Sequence, residues 1–257
     1  MEIITSTQNA GFKQAFKLLQ NRRERIKTKQ TVLDGSHLLA AWLDAGRQPV
    51  RLFVGEDSVY RDEIQSLLAR SQCPISYLSP ALYAQLSELT SASGVLALID
   101  IPEPNPPKHS GLVLLLDGVQ DPGNVGAILR TAQAAGVEQV LLSVDCADVW
   151  SPKVLRAGMG AQMVMPIVER VDLVAFADQF EGEVAATILD GAVDLYAAQF
   201  AASLALVMGS EGAGVSAALA AKASLRIKIP MTEGIESLNV GHAAAICLYE
   251  IKRQRMM

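Results

Sequence analysis

The chain has little of what usually marks chemistry in a sequence. Its 257 residues hold three cysteines, Cys73, Cys146 and Cys247, odd in number and far apart. No Cys-x-x-Cys pair occurs, so they read as small buried hydrophobes in a reducing compartment. The three histidines, His37, His109 and His242, lack metal-ligand spacing, and no metal site is expected. The opening MEIITSTQNAGFKQ has no basic segment followed by an apolar one, which argues against a signal peptide. The longest uncharged apolar stretch, Leu195–Gly209, is interrupted by Gln199 and Ser203. It falls short of the ~20 residues a membrane span needs. A soluble, cytoplasmic protein with no membrane partner is the expectation. There is no excess of positive charge either. The net charge of −5 argues against a generic, electrostatically driven nucleic-acid binder.

Half the residues are apolar, ample for a buried core. The distribution of charge says more than its total. Residues 1–100 hold 11 Lys and Arg against 10 Asp and Glu, and the remainder holds 11 against 17. Between Lys13 and Lys29 lie seven basic residues and one acid, Glu24. Such a run is either a solvated helix face or a phosphate-contacting patch.

Ile101–Gly111 carries four prolines in eleven residues and reads as a stiff extended connector. It divides the chain into residues 1–100, a linker over 101–111, and residues 112–257. In the first part helical and strand patterns alternate. Helices are expected over Asn9–Lys27, Ser36–Ala45 with Ser36 as N-cap, Asp57–Arg70 and Pro80–Glu88. Strands are expected over Thr31–Asp34, Arg51–Val54, Ile75–Leu78 and Val95–Ile99. In the second part the strands are continuous apolar runs: Leu112–Leu116, Val140–Val144, Met165–Val168, Val184–Leu189, Leu204–Met208 and Leu225–Ile229. Runs without alternation indicate a parallel sheet covered on both faces. Helices between them, at Val125–Ala135, Pro152–Gln162, Leu173–Phe180, Val215–Ala223 and Val240–Lys252, make an α/β, doubly wound pattern.

Three strand–loop–helix junctions stand out: DPGNVGAILRTA (Asp121–Ala132), LVMGSEGAGVS (Leu206–Ser216) and IKIPMTEGIESLNVGHAAAICLYE (Ile227–Glu250). In open α/β sheets such junctions bind ligands. In the first, Asn124 stands where a helix N-cap would fall, and Arg130 lies six residues on; the plain alternative is a capped turn with a surface arginine. In the second, Gly209, Gly212 and Gly214 bracket Glu211 and permit close approach of backbone to a ligand. The spacing is neither a P-loop nor GxGxxG. In the third, Thr232–Glu236 is a loop, and Ser237 is a plausible cap for the last helix, which leaves Asn239 unexplained.

Taken together, and in this order, the three stretches resemble the signature motifs of the SpoU/TrmH family of RNA 2′-O-ribose methyltransferases in the SPOUT superfamily. Leu33–Leu39 (LDGSHLL) and Gly94–Ile99 (GVLALI) resemble, more loosely, a small L30e-like substrate-binding domain. The resemblance implies a C-terminal SPOUT domain with a mostly parallel sheet and a trefoil knot, and a homodimer with sites near the subunit interface. It implies S-adenosylmethionine as cofactor, held around Met208, Gly209, Gly212, Ile229, Met231 and Leu238. It carries catalytic roles to Asn124, Arg130, Glu211, Ser237 and Asn239. Arg130 would engage the ribose 2′-hydroxyl or an adjacent phosphate. Guanidinium holds its proton (pKa above ~12), so positioning and electrostatic help describe its role better than general base. The basic residues Arg22, Arg23, Arg25 and Lys27, with Arg156 further on, would lie on RNA phosphates. The chain departs from the family pattern at Gly241-His242, where Ser usually follows Asn-Val, and at Arg156-Ala157-Gly158, where Arg-Ala-Ser is usual. The implied reaction is methyl transfer to a ribose 2′-hydroxyl of structured RNA, ribosomal RNA first. Transfer RNA and a non-catalytic RNA-binding module on the same fold are the alternatives.

Overall fold

A computed structural model of the chain describes residues 2–87, 93–234 and 237–256. The helix expected through Glu88 and the loop expected through Glu236 end on residues outside that description. The chain divides into two compact units: Met1–Glu103 with Trp150–Val164, and Pro104–Val149 with Met165–Met257.

The first unit holds β1 (Ile3–Ile4), α1 (Ala10–Gln20), α2 (Arg22–Thr28), β2 (Gln30–Asp34), α3 (Ser36–Asp44), β3 (Arg51–Gly55), α4 (Asp62–Arg70), β4 (Ile75–Leu78), α5 (Pro80–Leu86) and β5 (Val95–Asp100). Its sheet runs β1-β4-β3-β5-β2, with β4 parallel to β1 and β3, and β5 antiparallel to β3 and β2. Phe12, Leu18, Phe53, Leu82 and Leu98 pack into one core over it.

Three local expectations change here. The single helix over Asn9–Lys27 is two helices hinged at Asn21, which sits in extended backbone at φ −129°. Its amide donates to Lys17 O, ending α1, and its side chain accepts from Arg23 N and Glu24 N, starting α2. Ser36 is not an N-cap; Gly35 takes that position at φ 122° and Ser36 is the first helical residue. Arg25 is 5 % exposed, and its guanidinium donates to the carbonyls of Leu18 and Leu19. Those orphan carbonyls at the end of α1 need donors, and Arg25 supplies them, so it is not part of a phosphate-contacting face.

The second unit holds β6 (Leu112–Asp117), α6 (Pro122–Ala135), β7 (Gln139–Leu142), β8 (Ile167–Val168), α8 (Leu173–Gln179), β9 (Glu183–Thr187), β10 (Val193–Asp194), β11 (Leu204–Gly209), α9 (Ala217–Ala220), β12 (Leu225–Lys228) and α10 (Val240–Arg255). Between β7 and β8 the chain makes an excursion into the first unit, where α7 (Pro152–Gly158) packs on β2. Ser151 caps it, accepting from Val154 N at 3.4 Å. The range expected for the second domain is therefore interrupted over Trp150–Val164.

The seven strands run β10-β12-β9-β11-β6-β7-β8, every neighbouring pair parallel. β6 and β11 lie at the middle, in register from Leu112↔Leu204 to Asp117↔Gly209. Every residue of Leu112–Leu116 and Leu204–Gly209 is buried, which is why these runs read as unbroken apolar sequence. Leu173 and Phe176 of α8 and Leu219 of α9 share a core with Val113, Ala205 and Val207. α10 packs along α6. Lys252, Arg253 and Arg255 fall in the last turn of α10, where positive charge complements the helix dipole. The chain steps from β6 to β7 on one side and receives β11 on the other. That reversal opens a crevice at the strands' carboxyl ends.

Candidate active site

All three expected junctions leave the carboxyl end of this parallel sheet. The first begins at Asp117 and turns into α6. Pro122 takes the first helical position, where its missing N–H is no loss. The cap is Asp121, whose Oδ1 accepts from Asn124 N at 2.8 Å. Asn124 is not the cap; it stands one turn further in, and its amide side chain is left for other work.

The second junction folds back on its own strand. Ser210 and Gly214 exchange two backbone hydrogen bonds of 3.0 Å, and Ser210 Oγ accepts from Ala213 N at 3.1 Å. A Cβ on Gly209 would lie 2.1 Å from Gly214 C and 2.2 Å from Val215 N, so only glycine allows this return. Gly214 itself sits at φ 69°. The third junction ends at Asn239, the true cap of α10, whose Oδ1 accepts from Gly241 N at 2.9 Å and His242 N at 3.3 Å. Ser237 lies two residues before it and is exposed.

These junctions meet in one hydrogen-bonded relay. Asn124 Nδ2 donates to Glu211 Oε1 at 2.8 Å, and Asn239 Nδ2 donates to Asn124 Oδ1 at 2.9 Å. Both amide orientations follow from chemistry. A carboxylate only accepts, so Asn124 must turn its NH2 to Glu211 and its oxygen to Asn239. At the other end two backbone N–H groups only donate, so Asn239 must turn its oxygen to them and its NH2 to Asn124. The relay is satisfied in one sense alone, and it ties residues 115 positions apart in sequence.

Beside it lies a cavity of about 510 Å³, within the range of small-molecule and cofactor sites. Its walls come from residues 187–190, 208–215, 220, 227–229, 231, 237, 238, 240 and 243. Met208, Gly209, Gly212, Ile229, Met231 and Leu238, the six positions assigned to cofactor, all line it, as do Glu211 and Ser237. Asn124, Asn239 and Arg130 stand outside the lining. Arg130 is exposed on α6, about 9 Å beyond Asn124 along the helix. Arg156 pairs with the buried carboxylate of Asp34 in the first unit, Nη1 to Oδ2 at 3.5 Å, and so serves that unit's packing. Of the basic positions expected on RNA, Arg23 and Lys27 are exposed and Arg22 is half-buried. His242 is exposed in the first turn of α10.

Three features escaped the sequence reading. Asp121 had a local signal, an acidic residue directly before a proline at a helix start. Thr187–Asp190 line the cavity without any motif. Asp117 ends β6 and its Oδ2 accepts from Ser216 N at 2.8 Å. Among the described residues no group of three or more His, Cys, Asp or Glu could hold a metal, and no helix is long and apolar enough to cross a membrane.

A seven-stranded parallel sheet, a glycine loop folded against its strand and a cavity bordered by the last helix define an α/β protein with a candidate small-molecule site at its switch point. Residues 111–249 match the SpoU rRNA Methylase family, and the chain belongs to that family. It is similar to the 23S rRNA (guanosine(2553)-2′-O)-methyltransferase RlmP of Bacillus subtilis, 32% identical over 98% of this chain and 100% of the relative. A tRNA/rRNA methyltransferase of Synechocystis is 34% identical over 98% of this chain and 94% of its own. Among solved structures, an RNA 2′-O ribose methyltransferase superposes with a TM-score of 0.85 at 30% identity, covering 100% of both chains. The SpoU methyltransferase AviRb of Streptomyces viridochromogenes, in complex with AdoMet, superposes at 0.88 with 27% identity over 97% of this chain and 99% of that one.

Proposed function

We propose that this protein transfers a methyl group from S-adenosylmethionine to a ribose 2′-hydroxyl in RNA, with ribosomal RNA as the substrate. The observation that carries the reading is the Glu211–Asn124–Asn239 relay at the edge of a glycine-loop cavity. The residues present suit the cofactor. Main-chain groups along 208–212 and 229–231 can recognise a purine edge, and Met208, Ile229, Met231 and Leu238 offer apolar walls. When bound, S-adenosylmethionine supplies an electrophilic methyl group. The chain's own part is placement. Asn124, Glu211 and Asn239 fix the spacing of α6, the glycine loop and α10, and a misplacement of ~1 Å can cost ~100-fold. Arg130, always charged, orients the 2′-hydroxyl or the neighbouring phosphate. Ser237 faces the same cavity.

The preference for ribosomal over transfer RNA is supported by RlmP, which matches through both units rather than the second alone. In this reading the first unit binds RNA and the second carries the methyl transfer. The loops around Met208–Gly212, Ile229–Met231 and Leu238 are the knotted ones in the same reading. The working protein is a cytoplasmic homodimer. Tyr249 on α10 and Met256 just past its end, 51% and 78% exposed, give apolar surface for a second copy.

Mapping 2′-O-methyl positions in total RNA with and without the protein tests the reaction and names the nucleotide. Arg130→Ala is expected to abolish methylation while leaving S-adenosylmethionine binding at the native level. Full methylation by that variant would remove Arg130 from its role. Light scattering on the native chain and on Tyr249→Glu tests the dimer, with two subunits and one subunit as the expected states.

A further inference from the structure

The geometry points to Asp117 as a positioning residue for the cofactor loop, acting through the backbone amide of Ser216. The inference rests on reading the cavity as the S-adenosylmethionine site. Asp117 does not line the cavity, so its influence must pass through the loop.

β11 ends at Gly209, directly in register with Asp117 on β6. The chain then leaves the sheet, makes the loop over residues 210–215 and enters α9, with Ser216 as its cap position. The Ser210–Gly214 pair and the Ser210 Oγ bond to Ala213 N set the loop's internal shape. The loop's exit is tied to β6 by Asp117 Oδ2, which accepts from Ser216 N at 2.8 Å. A carboxylate accepting from an amide is among the stronger hydrogen bonds. The turn that follows Asp117 is anchored in its own right, since Gly118 N donates to Ser143 Oγ at 2.9 Å. The tip of the loop is held by Asn124, through Glu211. Base and tip therefore hang from one stretch of chain, Asp117 through Asn124, and the relay's geometry depends on both.

The test compares Asp117→Ala, Asp117→Asn and Ser216→Pro in the full chain by calorimetric titration with S-adenosylmethionine, with melting temperature followed in parallel. Ser216 has φ −58° and ψ 145°, a backbone that proline adopts, and proline has no N–H to donate. Asp117→Ala and Ser216→Pro are each expected to weaken binding by on the order of tenfold. The double variant should be no weaker than either alone, because both remove the same bond. Asp117→Asn keeps an acceptor oxygen and should stay within about threefold of native. A purely structural role would lower the melting temperature and leave the affinity, measured well below the transition, untouched. Native affinity in Asp117→Ala, or full additivity in the double variant, overturns the inference. Should Asp117→Ala fail to fold, Asp117→Asn and Ser216→Pro carry the comparison. Absence of binding by the native chain would instead overturn the cofactor reading, so the two failures are distinct.

Discussion

At Asn124 the identity of one side-chain atom decides whether three elements agree. Its NH2 faces a carboxylate at 2.8 Å and its oxygen faces an NH2. Asn124→Asp keeps the size but replaces a donor facing the Glu211 carboxylate with a second carboxylate, so that the 2.8 Å contact becomes repulsive. Only a protonated carboxyl at one of the two positions rebuilds the donor that Glu211 needs. Methylation by this variant is expected to fall by ~100-fold near neutral pH and to recover relative to native as pH is lowered. A ratio flat across pH would remove the relay from the mechanism. Gly209→Ala tests the neighbouring constraint. Its methyl would meet main-chain atoms at 2.1 and 2.2 Å, which no rotamer can relieve. Loss of S-adenosylmethionine binding is the expected result, read by titration. At this scale the sequence was legible where a residue's type is itself unusual. Asn124, Glu211 and Asn239 stood out because polar residues at glycine-bearing turns ask for a reason. Their caps were misassigned because Asn124 and Ser237 also satisfy the local rules for a helix start. Only the three-dimensional path shows that Asp121 and Asn239 take those positions.

The elements of the second unit were the plainest part of the sequence, since strands buried on both faces leave no room for polar alternation. Leu114, at the centre of β6 and fully buried, illustrates what such a strand contributes. Leu114→Ala should cost about 2–5 kcal/mol by leaving a cavity, measured by denaturant unfolding with an unchanged slope. The break between α1 and α2 was hidden for the opposite reason. Apolar and basic residues keep helical spacing across Asn21, and the hinge depends on where its amide and side chain find partners. At the far end of the chain α10 carries a titrating contact. The Arg253 guanidinium, with Gln254, holds the Glu250 carboxyl down to about 2 from an ordinary 4.5. A lowered folded pKa stabilises the native state above the ordinary value, and that contribution fades as pH falls toward the folded one. Glu250→Gln is therefore expected to flatten the decline of melting temperature between about pH 4.5 and about 2. An unchanged acid profile would show that the contact does not couple to folding.

The division of the whole molecule was only partly legible. The proline-rich stretch marks one crossing between units, but nothing in Trp150–Val164 shows that it joins the first. Its membership rests on non-local contacts: Thr31 Oγ1 donates to Trp150 O at 2.7 Å, and Arg156 pairs with Asp34. Spacing along the chain cannot carry that information. The net charge was similarly incomplete as a guide. An overall −5 coexists with a local basic face, and the structure sorts that run into a buried Arg25 and exposed Lys17, Arg23 and Lys27. If this face lies on RNA, each phosphate it neutralises releases counterions, and the salt dependence of binding measures how many. Reversing Lys17, Arg23 and Lys27 to Glu is expected to reduce the slope of log K against log salt by about 2 to 3, at ~0.7–0.9 per contact. Affinity for S-adenosylmethionine should not change. Arg25→Glu would instead unfold the end of α1, because it removes donors from two carbonyls and buries a charge beside them. A triple variant with the native salt slope would place the RNA on another surface of the molecule, and a weakened cofactor affinity would mean that the substitutions disturb more than the face they sit on.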